Sequence, residues 1–211
     1  MRIIAHRGLW HEIEERNTLA SLKSAIDEGF GVETDIRDYR GKLVISHDVA
    51  NENSIELDTF LEYYRFRKSD AILALNIKAD GIQKMLITLL NKYHVTNYFL
   101  FDMSIPEFVV NVREGLNCFT RNSDIEKECV LYKEATGVWM DSFYQENWIT
   151  MEKICLHQTN GKKVCLVSPE LHKQSNDSLW GMLKDNLDVL NEDVYLCTDM
   201  PELAEVLFNG Q

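Results

Sequence analysis

Proline is scarce in this chain, three residues in 211, and glycine is limited to ten. Collagen-like and Pro/Gly-rich low-complexity chains are thereby excluded. No apolar stretch approaches the roughly 20 residues that a membrane-spanning helix needs. The first residues form a polar-punctuated strand rather than a secretory signal. Positive charge is also in short supply: 22 Lys and Arg stand against 34 Asp and Glu, for a net charge of -12. The densest basic stretch, Arg65 to Lys68, is brief and follows an apolar helix face. Clustered cations that displace counterions from phosphates are missing, so no nucleic-acid partner is expected. The same acidity argues against a polybasic anchor, and no stable membrane insertion is expected. Cys118, Cys129, Cys155, Cys165 and Cys197 are odd in number and never form a CxxC. Several lie in apolar company (KKVCLVS, VYLCTD), which predicts buried free thiols and a reducing, cytoplasmic compartment. No dinucleotide fingerprint and no P-loop occurs.

What remains is ordinary globular material, 45% hydrophobic and 27% charged, long enough to bury a sizeable core. Its pattern alternates. Arg2 to Ala5 reads as a strand ending at His6. Thr18 caps a helix with Leu19, Leu22 and Ile26 on one face, and Gly29 stops it. Phe30 to Tyr39 is a second strand. It turns at Arg40-Gly41, and Leu43 to Ser46 runs back as a hairpin arm ending at His47. Leu57, Phe60, Leu61 and Tyr64 share the next helix face. Ala71 to Ile77 is apolar enough for a strand buried on both sides, and Ile82, Met85, Leu86, Leu89 and Leu90 then follow helical spacing.

Tyr98 to Phe101 is a strand, and Ser104 with Glu107 forms a capping box ahead of Phe108, Val109 and Val112. Leu116 to Phe119 is the fifth barrel-type strand, with a helix expected where Ser123 and Glu126 repeat the capping pattern. Val138 to Met140, Val164 to Val167 and Val194 to Cys197 complete the strands. Their helices carry Trp148, Met151, Ile154 and Cys155, then Leu179, Met182, Leu183 and Leu187, and finally Leu203, Val206 and Leu207 behind an Asp199 cap. With the hairpin arm set aside, eight strand–helix units remain. That count predicts an α/β (β/α)8 TIM barrel over residues 1–211, one domain with no sizeable insertion. The alternative is an open doubly wound sheet.

Glu33 and Asp35 lie two apart in GVETDIRDY, so on a strand they face the same way. Two carboxylates inside a barrel repel unless a cation neutralises them; on an exposed hairpin they need no metal. Their place toward the C-terminal end of an early strand, where barrel active sites are built, favours the buried reading. Asn76 and Lys78 repeat the spacing in ALNIKADG. Oxygens from Glu33, Asp35 and the Asn76 amide suit Mg2+ or Ca2+ rather than zinc. His6 and His47 both end strands that reach this mouth, and a pair of imidazoles makes an acid/base couple near neutrality. His11, His94, His157 and His172 have no acidic partner at a telling interval and read as structural or surface. Trp10, Phe143, Tyr144 and Trp148 read first as packing residues, with an apolar side of the mouth as the alternative.

These residues fall in a familiar order. AHRGL at 5–9, Asn17–Thr18, GVETDIRDYRGKLVISHD at 31–48, NIK at 76–78 and TDMPE at 198–202 follow one another at characteristic intervals. The chain resembles, along nearly its whole length, the glycerophosphodiester phosphodiesterase family of the phosphatidylinositol-phospholipase-C-like phosphodiesterase superfamily. The resemblance implies a TIM barrel and a divalent cation held by Glu33 and Asp35. It assigns His6 and His47 as general acid and base, and Arg7 and Lys78 as contacts to substrate phosphate. Gly8 is expected to let the backbone pass close to that phosphate. One departure stands out: the family's third ligand is Glu or Asp, and here it is Asn76. A neutral amide weakens the charge holding the ion, so Asp102 and Glu170 are candidate replacements. A second departure is the short span from Val49 to Asp70, which leaves a lean mouth.

The leading functional expectation is metal-dependent hydrolysis of a glycerophosphodiester or related small phosphodiester to an alcohol and a phosphomonoester. One alternative keeps the pocket and changes the acceptor, giving lyase or transferase chemistry. The other is a barrel that binds a phosphoryl ligand without turning it over, as the loss of an acidic ligand at Asn76 would allow.

Overall fold

A computed structural model describes residues 1–210 and bears out the alternation with ten strands and seven α-helices among them. The chain divides into two compact units, one spanning Ala5–Asn117 and the other Met1–Ile4 with the segment from Cys118 onward.

In the unit Ala5–Asn117, β1 (Arg2–His6) contributes Ala5 and His6. Helix α1 (Leu19–Asp27) begins where the Thr18 hydroxyl accepts from the Ser21 N–H, buries Leu22, Ala25 and Ile26, and ends at Gly29 with φ +83°. Strand β2 (Gly31–Tyr39) is buried from Gly31 to Ile36. It lies parallel to β5 (Leu73–Ile77), also buried throughout, and β5 lies parallel to β6 (Tyr98–Phe101). Parallel strands covered on both faces read as continuous runs, which is why no polar alternation marks them in the sequence. Arg40 and Gly41 both take positive φ, 48° and 78°, the geometry that twists a two-residue hairpin correctly. Strand β3 (Lys42–Ile45) therefore returns antiparallel to β2, and Ser46 N–H still donates to the Asp35 carbonyl at 3.0 Å.

Two features of this unit differ from expectation. A two-residue strand, β4 (Ile55–Glu56), pairs with β3 just before α2 (Leu57–Phe66), whose buried face is the expected Leu57, Phe60, Leu61 and Tyr64. The capping box of α4 (Ile105–Arg113) is only half made: Ser104 accepts from Glu107 N–H, while the buried Glu107 carboxylate accepts from Gly81 N–H at 3.0 Å. That N–H lies ahead of α3 (Gln83–Tyr93).

In the other unit, β7 (Phe119–Ser123), β8 (Gly137–Asp141), β9 (Lys163–Val167) and β10 (Val194–Thr198) pair in parallel in that order. Helix α5 (Met151–Thr159) follows β8, α6 (Asp177–Lys184) follows β9 and α7 (Pro201–Phe208) follows β10. The fifth barrel-type strand lies a few residues later than expected because most of its buried residues are polar: Thr120, Asn122 and Ser123 are buried. The helix expected after it is absent. The Ser123 hydroxyl accepts from the N–H groups of Ile125 and Glu126 in a turn that goes no further, since Ile125 and Val130 stay exposed. A short helix without an apolar face to bury does not hold. Asp199 is likewise not the cap of α7; that position is Met200, ahead of Pro201 at the first turn. All five cysteines are free thiols. Among the described residues no helix is long and apolar enough to cross a membrane.

Candidate functional site

Six of the expected site residues converge within the Ala5–Asn117 unit. Glu33 and Asp35 project from one face of β2, and both are almost fully buried. Asp35 is the register partner of Asn76 on β5, which places the amide beside the carboxylate. Lys78 follows directly after β5 and donates its N–H to the Ile36 carbonyl at 2.9 Å. Its ammonium lies 3.6 Å from Asp35 Oδ1 and 3.5 Å from Asp102 Oδ2. His6 Nε2 is 3.8 Å from Glu33 Oε2. Arg7 adopts φ 59°, so its N–H donates to both the carbonyl and the Oε2 of Glu33, at 3.0 and 3.2 Å. Its Nε then stands 3.4 Å from Asp35 Oδ2.

His47 is reached differently. Its ring is half exposed and its Nδ1 lies 2.9 Å from Asp48 Oδ1. The link to the cluster runs through Arg37, whose guanidinium donates to the His47 carbonyl at 3.0 Å and the Lys78 carbonyl at 3.0 Å. Arg37 escaped the sequence reading, although it continues the parity of Glu33 and Asp35 along β2. Asn17, read only as part of a motif, is also structural to the site: its amide donates to Asp35 Oδ2 at 2.8 Å and accepts from the Thr34 hydroxyl at 2.7 Å.

Burial pushes the Glu33 carboxyl up to about 7; the neighbouring His6, Arg7 and Lys78 oppose this, and the Asp35 charge adds to it. A cation placed beside it would favour the ionised carboxylate. Asp35 Oδ1 and Asn76 Oδ1 add a second requirement, because each is buried without a hydrogen-bond partner. A buried acceptor left unpaired costs about 1–3 kcal/mol, and an ion is one of the few things that satisfies two at once. Carboxylate and amide oxygens, with no thiolate, fit a hard divalent cation such as Mg2+ or Ca2+. Among the described residues no three His, Cys, Asp or Glu converge as a metal-binding group.

The proposed replacements for an acidic third ligand behave differently. Asp102, with φ 68° after β6, pairs with Lys78. The Glu170 carboxylate is engaged by the Ser168 and Thr198 hydroxyls and the Asp199 N–H. Gly8 has a packing reason as well. A Cβ there would meet the Ser21 backbone at 2.6 Å, so the missing side chain admits the first turn of α1. Trp10 is tied to the site through its indole N–H, which donates to the His6 carbonyl at 2.9 Å, and Arg16 stacks over its ring. Trp148 is buried under Lys153, as a packing residue would be. His172 departs from its expected isolation: it bonds Asp141 at 2.7 Å and lies against Phe143.

No family model matches the chain, and no curated protein does. Solved structures do. A candidate glycerophosphodiester phosphodiesterase from Galdieria sulphuraria superposes with a TM-score of 0.77 at 18% identity, over 99% of this chain and 97% of that one. An Oleispira antarctica phosphodiesterase, solved with its product sn-glycerol-3-phosphate, gives 0.71 at 17% identity over 99% and 97%. A Ca2+-dependent phosphatidylinositol-specific phospholipase C from Streptomyces antibioticus gives 0.61 at 10% over 98% and 95%. The chain has the α/β fold of these glycerophosphodiester phosphodiesterase structures.

Proposed function

We propose that this chain is a metal-dependent phosphodiesterase that hydrolyses a glycerophosphodiester or a related small phosphodiester to an alcohol and a phosphomonoester. The observation that carries the reading is the pair of unpartnered oxygens on Asp35 and Asn76, set beside Glu33 and ringed by His6, Arg7 and Lys78. The product-bound Oleispira antarctica neighbour supports the substrate class. Glu33, Asp35 and Asn76 would hold Mg2+ or Ca2+ through carboxylate and amide oxygens. When bound, the ion polarises the phosphoryl group and offsets the charge that develops on its oxygens.

The side chains supply the rest. Arg7 and Lys78 bind the phosphate oxygens as they turn from Asp35 toward substrate. His47, whose Nδ1 pairs with Asp48, takes the proton from the attacking hydroxyl through Nε2. His6 protonates the leaving alkoxide oxygen. The attacking group is water, or a neighbouring substrate hydroxyl that first closes a cyclic phosphate. Five free thiols support a cytoplasmic setting.

A second reading, a barrel that binds a phosphoryl ligand without turnover, is favoured by one observation: Arg7 and Lys78 already neutralise Asp35. Phosphorus NMR on a panel of glycerophosphodiesters with Mg2+, Ca2+ and Mn2+ separates the readings. Hydrolysis yields a phosphomonoester resonance, whereas a lasting cyclic product or a new diester assigns lyase or transferase chemistry. Inactivity with all three ions overturns the enzyme reading.

A further inference from the structure

Asp35 has two oxygens with unlike surroundings. Oδ2 accepts from the Asn17 amide at 2.8 Å and has Arg7 Nε at 3.4 Å. Oδ1 has no hydrogen-bond partner; the Lys78 ammonium at 3.6 Å lies outside hydrogen-bond range. The Asn17 amide cannot turn over freely, because the Thr34 hydroxyl donates to its Oδ1 at 2.7 Å and fixes the NH2 end toward Asp35. The backbone holds Asn17 in place as well: its φ is 56°, and its N–H donates to the Arg7 carbonyl at 2.9 Å. Asparagine is among the few residues that tolerate this conformation.

We infer that Asn17 is a positioning residue that keeps Asp35 a one-oxygen ligand through Oδ1, and thereby tilts the site toward a small octahedral cation. This rests on the metal-site reading above. A carboxylate free at both oxygens can bind bidentately, which suits the seven or eight ligands of Ca2+; Mg2+ demands near-ideal octahedral geometry with shorter contacts. Occupying Oδ2 with a hydrogen-bond donor removes the bidentate option and fixes the angle at which Oδ1 meets the ion. Thr34 acts one step further out, by setting which end of the amide faces Asp35.

The test is calorimetric titration of Mg2+ and of Ca2+, separately, into the full chain and its variants, with unfolding temperature measured in chelator. Asn17→Gly keeps the positive φ and removes only the side chain. It is expected to weaken Mg2+ binding by about tenfold or more, the range seen when a ligand loses its orienting partner. Ca2+ binding weakens less, so the Mg2+/Ca2+ dissociation-constant ratio rises. Thr34→Val shifts the ratio the same way, and Thr34→Ser, which keeps the hydroxyl, restores it. A merely structural role for Asn17 would lower the unfolding temperature and leave the ratio alone. If the wild-type chain binds both ions and the ratio is unchanged in Asn17→Gly, the inference is overturned. Should Asn17→Gly fail to fold, an unchanged ratio in Thr34→Val overturns it. If the wild-type chain binds neither ion, the metal-site reading itself falls.

Discussion

Asp35 and Asn76 are register partners on adjacent parallel strands, and each buries one side-chain oxygen that accepts no hydrogen bond. Each such oxygen costs free energy that a hydrogen bond, a water or an ion would recover. The substitution that tests this is Asn76→Asp, which adds an anionic oxygen without adding a methylene. Mg2+ or Ca2+ binding is expected to tighten on the order of tenfold, as ligand charge count sets affinity at such sites. Asn76→Ala weakens binding, and Glu33→Ala or Asp35→Ala weakens it much more. Calorimetric titration measures all four. If both Asn76 variants bind like wild type while Glu33→Ala abolishes binding, Asn76 is not a ligand, and Asp102, beside Lys78, becomes the next candidate.

Gly8 tests the entry of α1. Its φ is +91°, and an added Cβ would stand 2.6 Å from Ser21 carbonyl carbon and 2.8 Å from Leu22 nitrogen. Gly81 has a similar φ, +83°, but open space around it. Gly81→Ala should therefore show the conformational strain alone, about 1–2 kcal/mol. Gly8→Ala adds a backbone collision and should lose at least about 3 kcal/mol. Urea denaturation of the two variants checks the difference; equal losses would mean that α1 moves aside easily.

These two sites also mark what was legible in the sequence. Spacing of two along a strand exposed the Glu33–Asp35 pair, and helical spacing picked out the four residues that α2 buries. Both signals are local and repeat every few residues. Strand β7 carries no apolar run, because most of its buried residues are polar and satisfied by partners farther along the chain, such as Thr120 on the Val130 carbonyl. The Ser123–Glu126 spacing looked like a helix start, yet only an apolar face can turn a cap into a helix. In the site, Asn17 meets Asp35 across 18 residues and Arg37 meets Lys78 across 41. Hydrogen bonds over such separations leave no periodicity to read. The His172–Asp141 pair, 31 residues apart, was hidden for the same reason.

Arg37 holds two backbone carbonyls at once, those of His47 and Lys78. A guanidinium does this with a rigid fork that an ammonium cannot reproduce. Arg37→Lys keeps the charge and loses the fork, so His47 and Lys78 should drift relative to each other while the fold persists. Misplacement of about 1 Å in a catalytic group can lower turnover by roughly 100-fold. A drop in kcat toward that size, with metal affinity unchanged, is the expected result for phosphodiester hydrolysis. Loss of metal binding instead would show that Arg37 acts on the Glu33–Asp35 cluster and not on His47.

His172 supplies a pH-dependent element of stability. Its hydrogen bond to Asp141 raises the imidazole above its ordinary value against the opposing effect of burial, and the charges of Asp141 and Asp124 add to the rise. Phe143, packed on the ring at 4.8 Å, carries no charge of its own. A histidine with a raised folded-state value contributes stability that is fully present below its unfolded value, near 6.5. That stability fades as pH climbs through the folded value. His157 works in the other direction, since burial lowers it and its stabilisation is lost as pH falls. The comparison must therefore be between wild type and His172→Gln rather than along one profile. The unfolding temperature of wild type should exceed that of His172→Gln most at about pH 5.5. The gap should narrow steadily above neutrality, as the imidazolium that Asp141 stabilises loses its proton. A gap that stays constant from acid to alkaline pH would mean that His172 contributes through packing on Phe143 and not through its charge.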